Sequence, residues 1–286
     1  IRQAFGVELS VRTLFESPTI EKLTHAISSA AAAGFLDTAP PIVSLDPPNR
    51  DTLSFAQYRL WFVDQLNQGS SEYNLPSALK ITGPLDVAVL DRVFGEIVRR
   101  HEVLRTNFAE NDGVPQLRVR EPGPWHSTVT DLSAFDSAAQ QKEVERLVDQ
   151  DANVTFSLAN DPLFTTRIVK LAAQEHILLL NMHHIISDGW SLTVLVQEIQ
   201  ALYLAFAAGR ASPLPELPIQ YSDFAVWQRN WLQGDTLDKL RNYWKDALSG
   251  APDVLRMPTD KPRPKIQTFN GAHFPLSLGP ALAGKV

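Results

Sequence analysis

Residues 163–209 constrain the fold of this chain most strongly, because two strand patterns are followed there by a long helix pattern. The segment "LFTTRIVKLAAQEHILLLNMHH" has two apolar runs joined by a short turn, which predicts two neighbouring strands. The segment "WSLTVLVQEIQALYLAFAAG" has apolar residues at helical spacing and ends at Gly209, which predicts a long helix. Together the two patterns indicate an α/β protein.

Helix and strand patterns alternate over the rest of residues 51–286. "LDVAVLDRVFGEIVRRH" predicts an amphipathic helix, and "VLRTNFAENDGVPQLRVRE" predicts a hairpin whose turn is Asp112-Gly113. Three more segments predict helices, namely "SAAQQKEVERLVDQDA", "QYSDFAVWQRNWL" and "LDKLRNYWKDAL". The alternation predicts an α/β sandwich, and the hairpin indicates that its sheet is mixed.

The first 50 residues have a different character. Residues 1–30 predict two short helices, the second of which is expected to begin with Ser17 as its N-cap. This helical stub is too small to fold alone. Residues 31–50 are rich in Ala and Pro and predict a linker, so we expect a domain boundary near residue 50. The chain begins without Met inside a helical pattern, and we expect it to be a piece of a longer polypeptide.

The composition predicts a folded, soluble protein and excludes several chemistries. Hydrophobic residues make up 44% of the 286 residues, enough for a substantial core. The net charge of -6 comes without a basic stripe, so we expect no nucleic-acid partner. The chain has no cysteine, which excludes disulfides and a cysteine nucleophile and fits a cytoplasmic location. Neither a leader nor a run of about 18 apolar residues occurs, so we expect no membrane span.

The segment "NMHHIISDGWSL", residues 181–192, joins the second strand to the long helix and contains the candidate catalytic residue. Neighbouring side chains on a strand point to opposite faces, so His183 and His184 cannot both reach one site, and one of them is expected to be structural. His184 stands at the carboxyl end of the strand, where an imidazole can accept a proton near neutral pH. The alternative is a hydrogen-bonded core histidine. Metal binding is disfavoured, because zinc needs three or four converging ligands.

Asp188 and Gly189 each allow two interpretations. Asp188 is either the N-cap of the long helix or a buried carboxylate that fixes the shape of the loop and pairs with Arg59 or an arginine of "RHEVLR". Gly189 either permits a close approach of a ligand or is an ordinary loop glycine. Ser187 and Ser191 lack the glycine pattern of a nucleophile elbow, so the segment does not indicate a serine hydrolase.

Four segments together resemble condensation domains of nonribosomal peptide synthetases. His183, His184, Asp188 and Gly189 match the HHxxxDG motif within "MHHIISDGWS", which is similar to the third core motif of the family. "LSFAQYRLWFVDQL" (53–66) is similar to the first, "RHEVLRTNF" (100–108) to the second and "YSDFAVWQ" (221–228) to the fourth. The four motifs occur in order across residues 51–286. HHxxxDG alone is less specific, because epimerization domains and the wider chloramphenicol-acetyltransferase-like superfamily share it.

The resemblance implies a fold and an organisation. Residues 51–286 are expected to form the N-terminal, donor-side lobe of a condensation domain, a chloramphenicol-acetyltransferase-like sandwich with a mixed sheet, and its C-terminal lobe is expected to be missing. Residues 1–30 resemble the last helices of a peptidyl carrier protein, whose phosphopantetheine serine would lie upstream. Residues 31–50 would then be the interdomain linker.

The resemblance also implies an activity and partners. The family joins a carrier-bound aminoacyl or peptidyl thioester to a carrier-bound amine by a peptide bond, with substrates held on 4′-phosphopantetheine and no cofactor or metal bound by the lobe. Donor and acceptor carrier domains, an adenylation domain and the missing lobe are the expected partners. His184 is the expected catalytic residue, because it can accept a proton from the amine or orient it. We expect the isolated piece to be inactive.

The remaining site residues are expected to support His184. By resemblance these are His183, Asp188, Gly189, Arg59, Arg100, Arg105 and Trp227. Arg100 and Arg105 have the alternative of an ordinary cationic helix end. Trp227, with Phe224 and Trp231 at helical spacing, has the alternative of simple core packing.

Two other functions remain open. An epimerization domain would use the same histidine for α-proton exchange, although the linker and "RHEVLRTNF" resemble condensation domains better. Alternatively, the piece is an inactive scaffold that only binds carriers or the missing lobe.

Overall fold

The computed structural model describes residues 1, 5, 7, 9–32, 39–46, 50–67, 69–255, 257–262, 264 and 276–285. The chain forms two compact units, Ile1–Leu240 and Arg241–Val286. The helices are α1 Val11–Glu16, α2 Ile20–Ala32, α3 Phe55–Leu66, α4 Val87–Arg100, α5 Ser137–Ala152, α6 Gly189–Ala207, α7 Tyr221–Trp231, α8 Gly234–Ala247 and α9 Pro280–Ala283. The strands are β1 Asn74–Thr82, β2 Thr106–Asn111, β3 Val114–Val119, β4 Thr128–Asp131, β5 Phe164–Ala172 and β6 Glu175–His183.

The larger sheet is mixed, as predicted, but not because of the predicted hairpin. Its strand order is β1-β6-β5-β4; β6 is antiparallel to both β1 and β5, and β4 is parallel to β5. The β2–β3 hairpin forms a separate sheet of two strands. Asp112 and Gly113 make its turn with positive φ angles of 52° and 78°, the conformation that an Asp-Gly turn favours.

Helices cover both faces of the larger sheet, which confirms the α/β sandwich. Alternate residues of a strand face opposite sides, and β6 shows this directly: Leu178 and Leu180 pack with α4 and α6, whereas Leu179 packs with α5. The predicted apolar face of α4 is buried in the first of these cores, with Phe94 completely inaccessible. Sheet and helices therefore hold the end of β6 in a fixed frame.

Two strands and one cap differ from the sequence-based expectation. The patterns did not predict β1 and β4. β1 contains Pro76, which a central strand would not tolerate, but among the described strands β1 lies at an edge and pairs only with β6. Ser17 does not cap α2, which begins at Ile20. The Thr19 hydroxyl accepts the backbone N–H of Lys22 instead, because it offers the same cap chemistry two residues later.

α6 is long and apolar enough to cross a membrane, by length and composition only. No other helix of the described residues meets this test. In this fold one face of the helix packs in the core, and 28% of its apolar window is buried. Leu195, Leu202 and Phe206 are buried in the main core, and the buried Glu198 pairs with a cation of α4. Packing of this face in the core accounts for its apolar residues.

Candidate active site

His184 immediately follows β6, and its ring is held by its own turn. Its backbone N–H donates to the carbonyl of Tyr73 at 2.7 Å, and its side chain is exposed. Ring Nδ1 lies 2.8 Å from the carbonyl oxygen of Ser187. Since a carbonyl only accepts, Nδ1 carries the proton, and Nε2 of the neutral ring keeps its lone pair. The exposed imidazole therefore has one fixed nitrogen and one nitrogen free to accept a proton.

His183 is the buried member of the pair, of which the strand geometry predicts that one is structural. It is 4% exposed and lies between the rings of Tyr73 and Phe156, with both centroid distances at 6.4 Å. Its Nδ1 accepts the backbone N–H of Ile185 at 3.1 Å. Burial, helped by the nearby charge of His184, lowers the pKa of His183 to about 4. A neutral His183 therefore anchors the turn from inside.

Asp188 is the N-cap of α6. Its Oδ1 accepts the backbone N–H of Ser191 at 2.8 Å and the hydroxyl of Ser191 at 2.6 Å, and the Ser191 hydroxyl accepts the N–H of Asp188 at 3.2 Å. The hydroxyl hydrogen bond, followed by the backbone one, lowers the pKa of Asp188. This reciprocal cap fixes where the helix begins, directly after the His184 turn.

The expectation that Asp188 is buried and pairs with an arginine is wrong. Its side chain is exposed, and within the described ranges no arginine is in ion-pair contact with it. Arg100 and Arg105 have other partners, and Arg59 is exposed on α3. The donors at the start of α6 already satisfy the carboxylate, so it needs no cation.

Gly189 is the first residue of α6. A Cβ placed there would meet no atom within 4 Å, and the residue does not have a positive φ. Neither backbone strain nor internal crowding therefore requires glycine. The next residue, Trp190, is 81% exposed. The open surface beside His184 is consistent with a ligand approaching Gly189, and that role stays a prediction.

The first motif reaches the His184 turn through Gln57. Ser54 and Gln57 form a capping box at the start of α3, and Gln57 Nε2 donates to the carbonyl of Ile185 at 3.4 Å. Trp61 is buried in the core, whereas Arg59 is exposed and forms no ion pair with any described residue. The S-x-x-Q spacing is the signal by which the sequence could have identified Gln57.

Arg100 of the second motif is buried in an ion cluster. It is 4% exposed; its Nη2 donates to Glu198 at 3.3 Å and its Nη1 to the carbonyl of Pro215 at 2.6 Å. His101 Nε2 lies 2.9 Å from the other oxygen of Glu198. Burial raises the pKa of Glu198, but His101 and Arg100 outweigh it and leave the pKa below its usual value. Arg100 thus joins α4 to α6, the helix that begins at the site.

Arg105 connects the ends of the small hairpin. It donates to the carbonyl of Arg120 and forms an ion pair with Glu102 at 3.6 Å. These contacts tie the residue before β2 to the residue after β3. Support of the site by Arg105 remains a prediction that would act through this hairpin.

Trp227 of the fourth motif is half-buried, so the core interpretation of this aromatic group is wrong. Its ring packs between Phe224 and Trp231, with centroid distances of 5.6 and 5.0 Å, and both neighbours are also only half-buried. Its indole N–H donates to the carbonyl of Pro40 at 2.5 Å. Trp227 therefore contacts the segment 39–46, and the three rings are not part of the main core.

The arrangement offers one group that can act as a general base, the imidazole of His184. Nε2 of His184 is available, and the N-terminus of α6 beside it offers partial positive charge. The carboxylate of Asp188 offsets that charge, so positioning and proton transfer suit the site better than stabilisation of an anion. Among the described residues, no three potential ligands lie close enough to hold a metal ion.

Solved structures share the fold of this chain. The X-domain from teicoplanin biosynthesis matches with a TM-score of 0.69 and 25% identity over 79% of this chain and 49% of that chain. The first condensation domain of the calcium-dependent antibiotic synthetase, in complex with substrate analogue 2a, matches with a TM-score of 0.63 and 26% identity, covering 70% and 47%. These matches confirm the chloramphenicol-acetyltransferase-like fold.

Sequence comparisons then identify the family. Residues 49–286 match the family described as Condensation domain. A linear gramicidin synthase of Brevibacillus parabrevis is 43% identical over 99% of this chain and 6% of its own length. Surfactin synthase subunit 1 of Bacillus subtilis is 37% identical over 97% and 7%. The chain belongs to the condensation-domain family, as the four motifs predicted, and these matches do not favour the epimerization or scaffold alternatives.

Proposed function

We propose that the chain forms the donor-side half of a site that makes peptide bonds in nonribosomal peptide synthesis. The amine of a carrier-bound acceptor attacks the thioester carbonyl of a carrier-bound donor. A C–N bond forms, the C–S bond breaks, and the proton lost by the amine ends on the departing thiol. The thioester is already activated, so the protein's task is to position the reactants and to handle that proton.

One observation carries the proposal, namely the exposed ring of His184 with its Nδ1–H held by the carbonyl of Ser187. The fixed tautomer leaves Nε2 as an acceptor that can orient the amine or take its proton. His183, Asp188 and Gly189 support it by shaping the turn. Arg100 acts through α6, whereas Arg59, Arg105 and Trp227 are the more distant candidates for support.

The proposal includes partners. The chain spans 6% of the linear gramicidin synthase and about half of the condensation-domain structures that it matches, such as 47% of one. We infer that the remaining half of the domain completes the site and that turnover needs it. Donor and acceptor carriers deliver substrates on 4′-phosphopantetheine, an adenylation domain loads them, and the lobe itself binds no cofactor or metal. The assembly is cytoplasmic.

Residues 1–30 are the end of the upstream carrier in this proposal, and residues 31–50 are the linker to the lobe formed by 51–286. The support is the pattern of two short helices, which the structure contains as α1 and α2, followed by the Pro-rich segment.

The test is amide formation by the complete synthetase module that contains this chain, with loaded donor and acceptor carriers. His184→Ala is expected to lower the rate by about 10²- to 10⁴-fold, the usual contribution of a positioned acid–base group. His126→Ala is the matched control, because His126 is also exposed and makes no hydrogen bond to the described residues. A full rate in His184→Ala would remove this imidazole from the mechanism, and a D-configured product without any amide would indicate epimerization instead.

A further inference from the structure

The surface of α7 binds the segment that precedes the lobe. Two side chains of α7 form hydrogen bonds with residues 39–46. The indole N–H of Trp227 donates to the carbonyl of Pro40 at 2.5 Å, and Oδ1 of Asp223 accepts the backbone N–H of Leu45 at 2.9 Å. Both contacts go to backbone atoms of the segment. These hydrogen bonds therefore depend on the backbone path of the segment and not on the identity of its side chains.

The contact at Asp223 is part of the buried structure. Asp223 is 1% exposed; its Oδ2 accepts the N–H of Gln220 at 2.7 Å, and its Oδ1 lies 3.9 Å from Nε of Arg50. If the segment lifted away, this buried carboxylate would lose the N–H of Leu45. An unsatisfied buried charge is costly, so the folded lobe favours the bound segment.

Further side chains of α7 form hydrogen bonds with the chain up to the start of α3. Arg229 donates to the carbonyl of Leu53 at 2.9 Å, and Gln228 accepts the N–H of Phe55 at 2.9 Å. The Tyr221 and Ser54 hydroxyls are 3.1 Å apart. α7 therefore contacts the chain at several points from Pro40 to Phe55.

We propose that α7 is a docking surface for the linker and that the hydrogen bond of Trp227 to Pro40 holds the linker there. The docked linker then limits how far the upstream carrier can move. This inference rests on the proposed function, because it takes residues 1–30 as the end of a carrier. Trp227 is then a positioning residue for carrier delivery and not a group that touches the reacting atoms.

Chain length shows the consequence. With the linker docked from Ala39 onward, the path from the end of α2 at Ala32 can span at most roughly 25 Å. A linker free up to Phe55 would reach roughly 80 Å. A shorter tether confines the carrier to a smaller volume and raises its effective concentration at the lobe.

The first experiment measures the dock on the 286-residue chain by hydrogen exchange. Trp227→Phe keeps an aromatic ring but removes the N–H donor, and should speed exchange of the Leu45 amide, which Asp223 accepts, by about two- to tenfold, the loss of one net hydrogen bond. Trp231→Phe is the matched control on the same helix and should change the exchange of this amide much less. Unchanged exchange at Leu45 in Trp227→Phe, or equal change in both variants, would overturn the proposal.

A variant on the linker side keeps the test independent of the folding of α7. Leu45→Pro removes the N–H that Asp223 accepts, and should speed exchange of the indole N–H of Trp227, which donates to Pro40. Ser44→Pro is the control, because the N–H of Ser44 makes no hydrogen bond to the described residues. The same acceleration by both proline variants would mean that the linker is not docked through Leu45.

The second experiment compares delivery routes in the complete synthetase module. Leu45→Pro should lower amide formation several-fold when the donor is loaded on the fused upstream carrier, and should leave it unchanged when the donor is supplied on a separate carrier protein. Equal loss by both routes would overturn the role in delivery. If the wild type makes no amide by either route, the proposed function fails, while the exchange result still decides the dock.

Discussion

The Nδ1–H of His184 donates to the carbonyl oxygen of Ser187, three residues later in the same turn, across 2.8 Å. The backbone of the site thus selects the tautomer of its own candidate base. Because both residues belong to the turn between β6 and α6, the packing of these two elements sets the direction of Nε2. No separate orienting carboxylate is needed.

This relationship predicts the protonation pattern of the neutral ring. Nitrogen-15 NMR of the chain at a pH where His184 is neutral should show the proton on Nδ1, because the carbonyl of Ser187 can only accept it. His126, exposed and without such a partner among the described residues, is the reference signal. A dominant Nε2–H form of His184 would show that the hydrogen bond is absent in solution.

The low pKa of His183 predicts how stability depends on pH. The pKa is about 4 in the folded chain and 6.5 ordinarily, so the unfolded chain binds a proton in a range where the folded chain does not. The stability from this group is complete above pH 6.5 and is lost as the pH falls toward 4, about 3 kcal/mol in all. Urea unfolding at several pH values measures it.

His183→Asn is the variant for this measurement. An Asn side chain can accept the N–H two residues ahead, which keeps the hydrogen bond to Ile185 but does not titrate. The variant should be less stable at every pH, because the packing with Tyr73 and Phe156 is lost, yet its stability should fall less between pH 6.5 and 4. A parallel fall in both proteins would assign the pH dependence to other groups.

The histidine turn shows how far the sequence predicts this site. Strand alternation predicted that only one of His183 and His184 faces a site, and the structure shows one of them buried and the other exposed. Asp188 had two interpretations, and the N-cap is the one that the structure shows, since a pattern does not reveal whether a carboxylate turns into the core or back onto its own helix. Backbone donors at a helix start compete with any arginine for such a group.

Contacts between elements distant in the sequence were the other limit. The patterns predicted α4, α6 and the β2–β3 hairpin, but not that Glu198 of α6 is the partner of Arg100. A glutamate inside an otherwise apolar stripe was the available signal, because buried carboxylates are paired. The aromatic face of α7 looked like core because helical spacing is the same whether it faces an interior or a bound segment.

The pair of Arg100 and Glu198 predicts a large effect on stability. Arg100→Met leaves the buried Glu198 without its arginine partner, with only His101 beside it, and should cost about 3–5 kcal/mol in the free energy of unfolding. Arg59→Met, at an exposed arginine without an ion pair to the described residues, should change it by less than about 0.5 kcal/mol. Thermal or urea unfolding measures both.

The double variant separates a charge effect from lost packing. Arg100→Met with Glu198→Gln removes both charges, so it should be more stable than Arg100→Met alone. If the double variant loses more free energy of unfolding than the two single variants lose together, packing within the cluster and not its charge balance determines the stability.

The cap at Asp188 predicts that two similar substitutions have different effects. Asp188→Ala removes the oxygen that accepts the N–H and hydroxyl of Ser191 and should cost about 1 kcal/mol of stability. Asp188→Asn keeps an acceptor oxygen and should cost much less. The lowered pKa of Asp188 adds stability above its ordinary pKa, and that part is lost as the pH falls through the folded value. The stability of Asp188→Asn should therefore depend less on acidic pH than that of the wild type. If Asp188→Asn loses as much stability as Asp188→Ala, the charge and not the cap holds the start of α6.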